Sequence, residues 1–183
     1  MYFTDPPYGL PGYVDDPNRE IDFFGVFRVT PEGEVTLITD ELQRPNGIAL
    51  SPDEQTLYVS NSQRGSGDNA TWTAWDLNAD GTIDPDSRRT FFDAEHLATR
   101  DRPGAPDGMK FDVHGNLWAT GPGGVLILSP EGDHLGTILT GRPTANVAWG
   151  DDGSTLYITA NQHLIRIRTS TVGAATPGAD FGG

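Results

Sequence analysis

Three polar residues stand at the mouths of apolar runs: Asn46 in "RPNGIAL", Asp107 in "APDGMKF" and Asn146 in "PTANVAW". Two amides and one carboxylate are hard oxygen donors. Without Cys or His beside them they suit Ca2+, Mg2+ or Mn2+, and Zn2+ less well. A cation held by such a set would polarise an ester carbonyl, and a nearby carboxylate would take the proton from an attacking water. Asp107 is the one carboxylate at the three positions. A plainer reading stands beside this one. Asn-Gly and Asp-Gly are common turn dipeptides, because a short Asx side chain bonds its own backbone and Gly tolerates left-handed conformations. Which reading gains weight depends on whether the phrases recur in register.

They do recur. "RPNGIALSPDEQTLYVSN", "APDGMKFDVHGNLWATG" and "PTANVAWGDDGSTLYITA" share one plan: Asx, an apolar run, a polar turn, then Leu, an aromatic residue, and a closing Thr or Ser. Asn46 lies 11 positions before Leu57, while Asp107 and Asn146 each lie 10 before Leu117 and Leu156. The opening "MYFTD" fits the second half of the plan, so Thr4, Ser60, Thr120 and Thr159 align. Hairpins follow in "GVFRVTPEGEVTLI" and "GVLILSPEGDHLGTI". Runs of about five alternating or apolar residues between Gly, Pro and Asp turns read as strands. No sustained helical spacing appears, and "FFDAEHLATR" holds at most one short turn.

Four strands every 40 to 60 residues is the period of a propeller blade. The expected class is therefore all-β. A partial blade runs to Ile38, full blades run from Asn46 to Phe92 and from Asp107 to Ile138, and a three-stranded one from Asn146 to Arg168. Residues 1–168 form the partial propeller domain. The Gly/Ala/Thr-rich stretch 169–183 is expected to be disordered. Strand starts in successive blades line one axis, which would bring Asn46, Asp107 and Asn146 together despite 61 and 39 intervening steps.

Composition narrows the partners. A formal net charge of -14 over 183 residues, with no basic stripe, disfavours nucleic acid. No apolar run approaches the roughly 20 residues of a membrane helix. "MYFTDPPYGLPG" has no signal-peptide pattern, so a cytoplasmic location is expected. The absence of cysteine removes disulfides and thiolate metal sites.

"YFTDPPYGL", "RPNGIALSPDEQTLYVSNS", "PDGMKFDVHGNLWATGPGGV" and "LYITANQHLIRI" together resemble the gluconolactonase, regucalcin (senescence marker protein) and luciferin-regenerating enzyme family, the bacterial gluconolactonase type above all. The resemblance runs from Met1 to about Arg168. It implies a six-bladed propeller, of which about four blades are present here. It also implies one divalent metal ion, Ca2+ first, and hydrolysis of a small-molecule sugar lactone. The matching positions make Asn46 and Asp107 metal ligands and Asp107 the catalytic base. The family's other ligand, a Glu, and an Asn close to metal and substrate would lie before Met1. The chain is thus expected to be N-terminally truncated, with open blade edges able to self-associate. The alternatives are a catalytically incomplete fragment or a propeller binding scaffold.

Four further features have two readings each. Tyr8 would roof a sugar-sized pocket as a substrate-binding residue, or pack within its Pro-rich loop. Asn61 would face the same substrate pocket, or cap a turn. "DLNADGTID" from Asp76 opens like an EF-hand loop, but Pro85 and Ser87 break the pattern and a hairpin is favoured. "NAT" at Asn69 is a glycosylation sequon that carries little weight without a secretory signal.

Overall fold

A computed structural model describes residues 1–62 and 70–174 of the protein. The Asn69 sequon and residues 175–183 lie outside the described residues. Four antiparallel meanders follow one another along the chain. The first holds β1 (Tyr2–Asp5), β2 (Gly25–Val29) and β3 (Val35–Thr39). The second holds β4 (Pro45–Leu50), β5 (Thr56–Asn61), β6 (Thr71–Asp76) and β7 (Arg89–Asp93). In the third are β8 (Met109–Phe111), β9 (Leu117–Gly121), β10 (Gly124–Leu128) and β11 (His134–Leu139). The fourth is β12 (Thr144–Gly150), β13 (Thr155–Ala160) and β14 (His163–Arg168). Strand order equals chain order in every sheet. Among the described residues there is no α-helix. The short turn in "FFDAEHLATR" is a 3-10 turn at Glu95–Leu97, and three more occur elsewhere.

Period-2 alternation lets one strand serve two cores. In β6, Trp72 and Trp75 are an odd number apart and point to opposite faces. Trp72 joins Tyr58, Met109, Phe111 and Leu126 between the second and third sheets. Trp75 joins Val26, Leu57 and Val59 between the first and second. Likewise Leu117 and Ala119 of β9 face the second sheet, while Trp118 packs with Val147, Leu156 and Ile158 of the fourth. Each interior sheet is therefore covered on both faces, and β5, β9 and β10 are almost wholly buried. The outer strands β11 and β14 are exposed or half-buried throughout, with Leu135, Leu139 and Leu164 exposed.

Turns follow the sequence. The Asp76 loop is a hairpin: the Asn78 N–H donates to the Thr82 carbonyl, the Gly81 N–H donates to that of Asn78, and the Asp80 carboxylate accepts from the Thr82 N–H at 2.9 Å. In "FDVHGNLW" the buried Asp112 carboxylate accepts from the His114 and Asn116 N–H groups, the Asn116 side chain and Trp118 Nε1. After β14 the chain turns back on itself. Val113 N–H donates to the Val172 carbonyl and Ala174 N–H to that of Phe111, so Thr169–Ala174 lies along the end of β8.

Neighbouring sheets touch at their strand starts, and glycine permits it. A Cβ on Gly47 would collide with the Asp107 carbonyl oxygen and sit 2.6 Å from its carbon. One on Gly108 would collide with the Asn146 side chain. Gly47 lies inside β4, so "PNG" is a close approach between sheets and not a turn. Replacing Gly47 by Ala must push two backbones apart and should cost roughly 3 kcal/mol or more. Gly136→Ala, where an added Cβ meets nothing within 4 Å, should stay within about 0.5 kcal/mol. Urea unfolding of both variants measures the contrast; equal losses would refute the close approach.

Candidate active site and metal centre

The aligned hydroxyls explain how the strand starts are held. Thr4 Oγ1 donates to the Asn46 carbonyl of the next sheet at 2.6 Å. Ser60 Oγ accepts from the Gly47 N–H at 2.7 Å and donates to the Asp107 carbonyl of the next sheet at 3.1 Å. Thr120 Oγ1 reaches both the Gly108 carbonyl and, in the next sheet, that of Ala145. Thr4, Ser60 and Thr120 thus tie the closing end of one strand to the start of the following sheet. Thr159 bonds the Asn146 carbonyl of its own sheet.

Bulges aim the side chains. β4 pairs with β5 at Pro45–Asn61 and then at Ile48–Val59, which leaves one extra residue at Asn46–Gly47. A similar shift sits between Thr144 and Asn146. A bulge breaks the in-out alternation and turns a side chain toward the strand mouth. Asn46 is half-buried there, and its Nδ2 donates to Ser62 Oγ at 2.9 Å and lies 3.5 Å from the Pro106 carbonyl.

Asp107 meets Asn46 across the sheet boundary. Burial pushes its carboxyl up from 3.8 to about 6, against the opposing pull of the Gly108 N–H and an Asn46 side-chain N–H. Tyr8 completes the cluster. The residue is 40% exposed, but its hydroxyl bonds Ser62. Burial raises the phenol's pKa, and the charges of Arg44 and Asp107 act on it in opposite directions.

Asn46, Asp107 and Tyr8 therefore share one mouth. Asn61 stands directly behind it: its Oδ1 accepts the Arg44 N–H at 2.9 Å, and the residue is buried. That is the capping contact, which fixes the loop entering β4. Asn146 is exposed and turns its Oδ1 to the Val147 N–H at 2.9 Å. Ser62 and Arg44 were not singled out in the sequence. Ser62 follows the repeated strand and has no aligned partner type, so no repeat signal marks it.

Among the described residues no three His, Cys, Asp or Glu side chains converge as a metal cluster. What converges is one carboxylate and one side-chain amide, which turns an N–H toward the Asp107 carboxyl in this structure. A half-turn about the last bond of Asn46 would offer its oxygen instead, and the pair would then fit part of the six-to-eight-oxygen shell of a calcium ion. A cavity of about 430 Å3 lies elsewhere, at the far ends of the same inner strands, lined mainly by Ile48, Leu50, Phe111 and Trp149 with Lys110 at its edge.

Comparison with known proteins meets this geometry. The profile of the SMP-30/Gluconolactonase/LRE-like region matches residues 8–162. The chain belongs to this family. It is 44% identical over 180 residues to a gluconolactonase of Zymomonas mobilis, covering 94% of this chain and 48% of that protein. It is 32% identical to a 6-deoxy-6-sulfogluconolactonase of Pseudomonas putida, over 75% of this chain and 45% of the other. Among solved structures, a gluconolactonase of Xanthomonas campestris matches with a TM-score of 0.73 and 34% identity, over 91% of this chain and 52% of that one. A calcium-binding regucalcin of Agrobacterium tumefaciens shares the fold at a TM-score of 0.65 and 22% identity, over 84% and 54%. The chain spans about half the length of the relatives it matches. No helix among the described residues is long and apolar enough to cross a membrane.

The raised carboxyl gives a pH signature. Folded Asp107 keeps its proton to about pH 6, whereas its unperturbed value is 3.8. The folded chain therefore binds the extra proton between these limits. Its share of stability is full below the lower value and is lost as pH rises through the upper one. Allowing for solvent screening of a half-buried group, the loss is on the order of 1–2 kcal/mol. Asp107→Asn should remove that slope in urea unfolding at about pH 4.5 and 7. An unchanged slope would place the carboxyl outside the buried mouth.

Proposed function

We propose that the chain carries the centre of a gluconolactonase-like lactone hydrolase, with Asn46 and Asp107 as ligands to one divalent cation and Asp107 as the general base. The observation that carries this reading is the meeting of Asn46 and Asp107 across a sheet boundary, with Tyr8 above them, in a chain of this family. Calcium is the first choice for hard oxygen donors, with Mg2+, Mn2+ or Zn2+ as alternatives. When bound, the cation supplies Lewis-acid polarisation of the lactone carbonyl.

The chain's own residues do the rest. Asp107, with a proton affinity tuned to about 6, is poised to take a proton from water near neutral pH. That water adds to the carbonyl carbon, the ring C–O bond breaks, and the proton passes to the departing alkoxide to give a hydroxy acid. Tyr8, hinged through Ser62, offers a phenol to a sugar hydroxyl. Asn61 supports the site from behind by holding Arg44 in place.

A six-bladed propeller is the architecture that this reading implies. The first sheet supports it: Phe3, Phe27 and Leu37 are in register on the face turned away from the second sheet, and the Phe3 and Phe27 rings stack at 5.2 Å. Leu37 is 45% exposed there. Such a face calls for a further sheet; copies of the chain would otherwise use it to self-associate.

Hydrolysis of gluconolactone, followed as acid release with and without added Ca2+ or Mn2+, tests the activity. We expect metal-stimulated turnover, reduced by about 100-fold or more in Asp107→Ala. Metal-independent turnover that survives the substitution would sink this assignment.

A further inference from the structure

The cavity at the far ends of the inner strands takes no part in the hydrolysis described above. Its volume of about 430 Å3 falls within the roughly 300–1,000 Å3 of small-ligand sites. Three successive sheets supply its apolar walls: Ile48 and Leu50 from β4, Phe111 from β8 and Trp149 from β12.

These walls are held in place. Trp149 Nε1 donates to the Phe111 carbonyl at 2.9 Å, and the Ala174 N–H donates to the same oxygen at 3.0 Å. Gly173 lies against the Trp149 side chain so closely that a Cβ there would collide with it. The indole is therefore clamped, and the wall it contributes is formed before any ligand arrives.

One cation stands among them. Lys110 is the only lysine in the 183 residues. Its strand neighbours Met109 and Phe111 are buried, while Lys110 alternates outward and borders the cavity. Its Nζ donates one of its three protons to the Met109 carbonyl at 3.0 Å. Among the described residues no carboxylate pairs with it, and partial burial of the amine lowers its pKa. An ammonium that has lost water without gaining a counter-charge is stabilised strongly by an arriving anion. The two remaining N–H groups match the two oxygens of one carboxylate. Glu54 also borders the cavity and opposes a second negative charge. The apolar walls suit a hydrocarbon body.

We propose that this cavity binds a monocarboxylic acid with an aliphatic body, its carboxylate on Lys110 and its chain against Leu50, Phe111 and Trp149. A polyhydroxylated acid does not fit, because its hydroxyls would lie unpaired against apolar walls. The product of lactone hydrolysis is therefore not the occupant.

Calorimetry on the whole chain with octanoate, octanol and gluconate tests the site. Octanoate should bind saturably and about tenfold or more tighter than octanol, while gluconate should show no saturable binding. Lys110→Met should reduce octanoate to the octanol level, and Lys110→Arg should restore most of the difference. Ala148→Phe, at an exposed position of the cavity wall, should block both ligands. Octanoate that fails to saturate, that binds no better than octanol, or that binds Lys110→Met unchanged would overturn the proposal. A second readout uses the single lysine. An amine-reactive ester should label Lys110, and octanoate should slow that labelling several-fold, followed by peptide mass spectrometry. Equal labelling rates with and without octanoate would overturn the placement of the carboxylate on Lys110. Neither measurement depends on lactone turnover or on a metal.

Discussion

Everything at the candidate site depends on one constraint, the contact of adjacent sheets at their strand starts. Two backbones can approach this closely only where no Cβ intervenes, and Gly47 and Gly108 occupy those points. The approach brings the Asp107 carbonyl within reach of Ser60 and the Pro106 carbonyl within reach of Ser62. It therefore sets the distance between Asn46 and Asp107, which 61 residues of chain would otherwise leave undefined. Side-chain hydroxyls suit this task because a buried carbonyl left without a donor is costly, and a single Ser can serve both sheets.

Burial then gives the site its chemistry. A carboxylate at the surface of so acidic a chain would be one charge among many and would hold a proton only in acid. Withdrawn into the mouth between two sheets, Asp107 is desolvated, and its neighbours offset only part of that cost. The protein holds a group whose charged form lacks full compensation. Such a group binds a proton, or a cation, more readily than an exposed carboxylate does. The apolar cores between the sheets stabilise the frame against that unfavourable term. Trp72 and Trp75, on opposite faces of one strand, are the clearest members of those cores.

Much of this was legible in the sequence, and for a physical reason. A repeated supersecondary unit writes its period into the chain, so equivalent positions can be aligned without seeing them in space. That alignment placed Asn46 and Asp107 at strand mouths and predicted the three-, four-, four- and three-stranded pattern. It also grouped Thr4, Ser60, Thr120 and Thr159, although their role as ties between sheets needed coordinates. The glycine of "PNG" had a local meaning in sequence, as a turn former; in the fold its meaning is a contact with the next sheet. Ser62 was not legible. Its importance comes from three partners drawn from the Tyr8 loop, β4 and the segment before β8, and no local pattern encodes such a meeting.

The central claim is that Asn46 and Asp107 together form the oxygen donors of a single divalent site at the boundary between the second and third sheets. Crystals of the chain soaked in Mn2+, with diffraction recorded at the manganese absorption edge, test it most directly. The account predicts one anomalous peak at bonding distance, about 2.0–2.6 Å, from both Asn46 Oδ1 and an Asp107 carboxylate oxygen. A peak on Asp107 alone with the Asn46 amide turned away, or manganese bound only elsewhere, would contradict it.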